Sequence, residues 1–126
     1  MTITPLGKHF LVEIYCCDKN VINNKEEVET IMCRIAKNCK TTIIDTKFHH
    51  FSPHGISGVI LIAESHLTVH TWPEYGYVAL DFFTCNIDLD IITDLDMIKK
   101  LFKAKNAKAT AINRGLFSPG TNDNHQ

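Results

Sequence analysis

No apolar run in this chain is long enough to span a bilayer, and Met1-Thr2-Ile3-Thr4-Pro5 lacks the charged-then-apolar pattern of a secretory leader. A membrane role is therefore not expected, and the cytosol is the expected location. No basic patch is present: 13 Lys and Arg against 14 Asp and Glu leave a formal charge of -1. That argues against a protein that works on phosphate backbones, so nucleic acid is not an expected partner. Cysteine occurs without a framework. Cys16, Cys17, Cys33, Cys39 and Cys85 are odd in number and contain no CxxC, which excludes a disulfide scaffold or a zinc ribbon. Histidine is plentiful, with five between His49 and His70, yet none falls in an HExxH-type spacing, and no metal is expected. There is no internal repeat, low-complexity segment or linker. What remains is 126 residues, 44% apolar and 21% charged, enough for one domain or for a subunit whose site a partner completes.

Periodicity divides the chain into alternating elements. Lys8 to Cys17 reads as a strand ending at Asp18. Lys25 to Asn38 reads as a helix, capped by Asn23 or Asn24, with Glu26 and Glu27 at its positive end and Val28, Ile31 and Ile35 as its apolar stripe. A strand from about Thr41 to Phe51 stops at the turn Ser52-Pro53-His54-Gly55. Ser57 to Ala63 is apolar at nearly every position, as in a strand covered on both faces. After a break at Glu64-Ser65, His66 to Trp72 resumes as strand, Pro73 to Gly76 turns, and Tyr77 to Cys85 returns. A helix over roughly Asp94 to Lys103 and a strand from Ala107 to Arg114 follow, then a polar tail, about 118–126, expected to be disordered. Adjacent strands joined by tight turns predict an α+β fold: a two-layer sandwich with an antiparallel sheet and two helices on one face. The other sheet face then needs a cover, which sheet-on-sheet packing in a dimer would supply.

The densest chemistry lies in Glu64-Ser65-His66-Leu67-Thr68-Val69-His70-Thr71-Trp72-Pro73-Glu74-Tyr75. Strand alternation puts His66, Thr68, His70 and Trp72 on one face and Leu67, Val69 and Thr71 on the other. In the returning strand Tyr77, Ala79, Asp81, Phe83 and Cys85 share a face. Paired through the turn, the two strands bring a serine, histidines and a thiol into one layer, a set able to act as nucleophile, base and acid. A cysteine at a strand end is otherwise a core residue, and a strand histidine a hydrogen-bonded structural one. Spacing alone leaves function undecided.

The run from Phe51-Ser52-Pro53-His54-Gly55 through Ser57, Glu64-Ser65-His66 and His70-Thr71-Trp72-Pro73-Glu74 to Phe83-Thr84-Cys85 closely resembles the small prokaryotic S-adenosylmethionine decarboxylase proenzymes. The likeness extends from the first strand, through Cys17-Asp18, to Arg114-Gly115. One departure stands out: family members commonly carry Gly after the cysteine, where this chain has Asn86. Asn tolerates a left-handed backbone, so a tight bend there is expected to survive.

The resemblance implies a self-cleaving enzyme. The Ser65 hydroxyl would attack the Glu64 carbonyl, converting the amide to an ester that is eliminated. Ser57 and His70 would assist, His70 as the processing proton acceptor. The products would be a chain of residues 1–64 and a chain of residues 65–126 capped by a pyruvoyl group derived from Ser65. That group would form a Schiff base with substrate and accept electrons as carbon dioxide leaves. Cys85 matches the family's proton donor; for that role it must remain a thiol, which partial burial away from cations would favour, as would Asp81 if the two side chains approach. Phe51 and Trp72 are candidates for binding a sulfonium and an adenine, and Glu74 for ribose hydroxyls. The substrate implied is S-adenosylmethionine and the product an aminopropyl donor for spermidine. Ornithine or arginine as substrate, or an uncleaved regulatory paralogue, are the competing readings.

Overall fold

The computed structural model describes residues 4–63 and 65–117. Glu64 and the expected disordered tail lie outside the described residues. Six strands, β1 (Thr4–Tyr15), β2 (Ile43–His50), β3 (Ile56–Ile62), β4 (Ser65–Trp72), β5 (Tyr77–Thr84) and β6 (Asn106–Phe117), form one antiparallel sheet in the order β2-β3-β4-β5-β1-β6. Helices α1 (Lys19–Ile22), α2 (Lys25–Asn38) and α3 (Leu95–Leu101) complete the fold.

The two main helices pack where their apolar stripes direct them. In α2, Asn24 Oδ1 accepts from Glu27 N at 3.0 Å, Glu26 and Glu27 occupy the first turn, and Val28, Ile31, Met32, Ile35 and Ala36 are buried. They meet Phe10, Val12 and Ile14 of β1, Leu67 and Val69 of β4, and Val78, Leu80 and Phe82 of β5 in one core, joined by Ile98 and Phe102 from the α3 end. Alternation predicts the inward set of β4 correctly: Leu67, Val69 and Thr71 are buried.

Element ends differ from expectation where long-range pairing overrides local signals. The first strand starts at Thr4 rather than Lys8, and the last ends at Phe117 rather than Arg114, because the two pair along their length from Thr4↔Phe117 to Tyr15↔Asn106. The helix expected over Asp94 to Lys103 is a 3-10 turn, Ile91–Asp94, leading into a seven-residue α3. The short α1 was not expected; Asp18 accepts from Asn20 N and Val21 N at 2.9 and 3.1 Å and starts it. Cys33 and Cys39 are partly buried, and both pack against the core.

The other face of the sheet is open. Cross-strand register arranges its side chains in transverse rows: Leu61–His66–Phe83–His9–Ile112, then Val59–Thr68–Asp81–Leu11–Thr110, then Ser57–His70–Ala79–Glu13–Lys108. Leu11, Val59, Leu61 and Ile112 are exposed there. Among the described residues, no helix is long and apolar enough to cross a membrane.

Candidate active site

Ser65 opens β4 and sits between Ile62 of β3 and Thr84 of β5. Its Oγ lies 3.8 Å from Sγ of Cys85, just past the end of β5. The length of the hairpin sets this contact. Trp72 pairs with Tyr77 across the Pro73–Tyr75 turn, so counting back along both strands puts Ser65 opposite Thr84. Gly76 closes the turn at φ 62°, with Cys17 N donating to its carbonyl at 2.9 Å.

Three expectations about the thiol need correction. Cys85 is exposed in the single chain, not partly buried. Asp81 is not its neighbour: it accepts from Thr68 Oγ1 at 3.2 Å and lies four residues, about 13 Å, along β5. Asn86 does not adopt a positive φ. Its N–H donates to Thr84 Oγ1 at 3.0 Å and its Oδ1 accepts from Asp88 N at 3.1 Å, so a side-chain turn replaces the left-handed bend.

Ser57 and His70 face each other across β3 and β4, with Ser57 Oγ 2.8 Å from His70 Nδ1. Which of them donates depends on the imidazole tautomer; His70 acts as an acceptor when Nδ1 is bare. This pair is not beside Ser65. Five residues of extended β4 separate His70 from Ser65, about 17 Å. Thus the expected single layer splits into two groups, Ser65 with Cys85 at one end of the strand and Ser57 with His70 at the other.

The second group opens into a cavity of about 270 Å³ that also takes in Phe51, Trp72 and Glu74. All three candidate binding residues therefore line one space. The loop before β3 is braced from two sides: Asn23 Oδ1 accepts from Gly55 N at 3.0 Å, and Thr71 Oγ1 accepts from Ile56 N at 2.9 Å while donating to Ile22 O at 2.8 Å. Residues missed from the sequence join here. His54 Nε2 stands 3.3 Å from Glu74 Oε1. Tyr77 stacks on Trp72, centroids 5.2 Å apart, and on Tyr15 at 5.4 Å. Its hydroxyl donates to Glu13, and burial together with that carboxylate pushes its pKa above the usual phenol range. The alternating phase of β5 marks Tyr77 as outward-facing, but only the sheet shows what it supports. A cavity of about 300 Å³ between α2 and the α3 end, lined by Glu26, Glu27, Ile31 and Leu101 among others, contains none of these residues.

The model of the S-adenosylmethionine decarboxylase family matches residues 8–115. The chain belongs to that family. It is similar to the S-adenosylmethionine decarboxylase proenzyme of Clostridium kluyveri, 48% identical over 115 residues and covering 91% of each chain. The proenzyme of Thermotoga petrophila is 46% identical over 112 residues, covering 89% of this chain and 86% of that one. Among solved structures, the adenosylmethionine decarboxylase of Aquifex aeolicus superposes with a TM-score of 0.82 at 30% identity, over 92% of this chain and 96% of that chain. Within such a family, the polar groups at Ser65 and Cys85 suit a carbonyl cofactor formed from the chain itself: a hydroxyl at the start of a strand, with a thiol 3.8 Å away.

Proposed function

We propose that this chain decarboxylates S-adenosylmethionine, forming the aminopropyl donor for spermidine, after cutting itself between Glu64 and Ser65. The single observation that carries this reading is the Ser65–Cys85 contact at 3.8 Å in a chain of this family. In processing, Ser65 Oγ attacks the Glu64 carbonyl carbon, and the C–N bond breaks as nitrogen takes up a proton. His70 then removes the Ser65 α-proton, the Cβ–O bond breaks with Glu64 leaving as a carboxylate, and water replaces the nitrogen as ammonia departs. Ser57 holds the His70 ring.

When present, the pyruvoyl group at residue 65 supplies an electron-accepting ketone for the substrate amine and for the electron pair left by departing carbon dioxide. The chain's residues do the rest. Cys85 holds a proton for the substrate α-carbon. Phe51 and Trp72 offer ring faces to the sulfonium and adenine, worth about 0.5 to 2 kcal/mol for a cation according to desolvation. Glu74 accepts from ribose hydroxyls.

Strand order supports one domain surviving the cut. Residues 1–64 would carry β1, β2 and β3, and residues 65–126 would carry β4, β5 and β6. Because β1 lies between β5 and β6, and β3 pairs with β4, the two products interleave and cannot part without breaking three ladders.

We further infer that two copies pack through their open sheet faces. The distance of about 17 Å between Ser65 and His70 exceeds any proton transfer, so the two groups cooperate only if a second chain brings its Ser57–His70 end over Ser65. The exposed Leu11, Val59, Leu61 and Ile112 would be buried by the same packing. Intact mass spectrometry, a carbon-dioxide release assay and sedimentation test the reading together. Two fragments, release from S-adenosylmethionine and a dimeric mass are expected. A single uncut species, or release only from ornithine or arginine, would overturn the function. A monomeric mass in an active sample would overturn the packing. Ser65→Ala is expected to stay uncut and to lack the cofactor.

A further inference from the structure

We propose that His54 is a positioning residue for ribose recognition, holding the Glu74 carboxylate in place through the 3.3 Å contact between His54 Nε2 and Glu74 Oε1. The inference rests on the reading of Glu74 as the acceptor for the substrate's ribose hydroxyls.

Both partners are about two-fifths exposed, and an ion pair or hydrogen bond at such a site adds little to folding stability. Their backbones, in contrast, are tightly held. His54 sits in a loop closed by Phe51 N donating to Gly55 O at 2.8 Å, itself tied to Asn23. Glu74 follows the buried Pro73 in a 3-10 turn closed by Gly76 N donating to Pro73 O at 3.1 Å. Two hydrogen-bonded turns therefore present two exposed side chains to one cavity, which both of them line. Among the described residues no Lys or Arg lies within ion-pairing distance of Glu74.

A carboxylate offers about four acceptor positions on two oxygens. His54 Nε2, 3.3 Å from Oε1, takes up one of them when it carries the proton, restricts rotation of the group, and leaves Oε2 and the rest of Oε1 for a vicinal diol. Without His54, Glu74 on its exposed turn samples several rotamers, and the substrate must order it on binding. Ordering one rotamer-rich side chain corresponds to about a threefold to tenfold weaker apparent affinity. The cost falls on binding and not on chemistry, because His54 touches neither the Ser65–Cys85 group nor the Ser57–His70 pair.

The test is steady-state kinetics of the processed enzyme with S-adenosylmethionine and with an analogue lacking both ribose hydroxyls. The variants are His54→Ala, His54→Gln, Glu74→Gln and the double variant His54→Ala/Glu74→Gln. His54→Ala is expected to raise KM about threefold to tenfold with kcat held. His54→Gln, which keeps an N–H donor, is expected to restore most of the affinity. In the Glu74→Gln background the loss of His54 should add nothing, and with the analogue it should change nothing. A raised KM in Glu74→Gln with strictly additive penalties would mean that His54 acts on its own, and this inference alone would fall. An unchanged KM in Glu74→Gln would overturn the ribose role of Glu74 and this inference with it.

Discussion

Two inactive variants, combined in one dimer, test the shared site most directly. Ser65→Ala removes the group proposed to become the cofactor, and His70→Ala removes the proposed processing base. In one chain these positions lie about 17 Å apart along β4, whereas direct proton transfer needs heavy atoms about 3 Å apart, or a single bridging water. Neither side chain spans that gap by rotation. With a two-fold axis between the open faces, each site takes Ser65 and Cys85 from one copy and Ser57 and His70 from the other. A mixed dimer then holds one site with both defects and one site with none. Random pairing of equal amounts makes about half of the dimers mixed, so co-expression should recover about one quarter of the wild-type sites. Cleavage reports the same thing separately: the His70→Ala chain, uncut on its own, should be cut when its partner is Ser65→Ala, while the Ser65→Ala chain stays whole. Differently tagged chains make the mixed species separable, and intact mass reads each chain. If isolated mixed dimers show neither cleavage nor carbon-dioxide release, the argument from strand length is wrong and the site lies within one chain.

Other perturbations bear on single residues. Cys85→Ala should process normally and bind substrate but lose most turnover; decarboxylation at the parent rate would remove Cys85 as the acid. Gly58→Ala should destabilise the fold by about 1–3 kcal/mol, or more, through overpacking, because an added Cβ would sit 2.1 Å from Phe48 Cδ2 and 2.2 Å from its Cε2; an unchanged urea midpoint would show that the Phe48 ring has room to move. Burial, with Cys16 adding to it, raises the Cys17 thiol to about 12. A group with a raised folded-state pKa contributes stability fully below its unfolded value, near 9, and loses it as pH climbs towards 12. Three units correspond to about 4 kcal/mol at most. Urea unfolding at pH 8 and pH 11 should therefore show a smaller alkaline loss for Cys17→Ala than for the parent, and equal losses would contradict the assignment.

Local signals carried α2 and the outward faces of β4 and β5. The Asn24 cap, the Glu26 and Glu27 charges and the Val28–Ile31–Ile35 stripe all act within one or two helical turns, and the helix runs over Lys25–Asn38 as they require. The Ser65–Cys85 contact was nearly legible as well, since a short turn at Pro73–Tyr75 makes the register a matter of counting. Alternation, however, says which face a side chain takes and not how far it lies from another on that face. Hence His70 fell on its expected face, opposite Ser57, but remote from Ser65, which alternation puts in phase with Leu67 and Val69.

Tertiary structure decided what depends on distant chain segments meeting. Insertion of β1 between β5 and β6 stretched both outer ends beyond their local signals, because unpaired backbone groups found partners there. Packing across that sheet brought Glu13 to Tyr77, and the braced loop brought His54 to Glu74, contacts between residues separated by up to 64 positions. The amino-acid order by itself determined the helix, the hairpin and the motif that marks the family. Which of those side chains touch was settled only by folding, because contact depends on three-dimensional distance and periodicity encodes only direction.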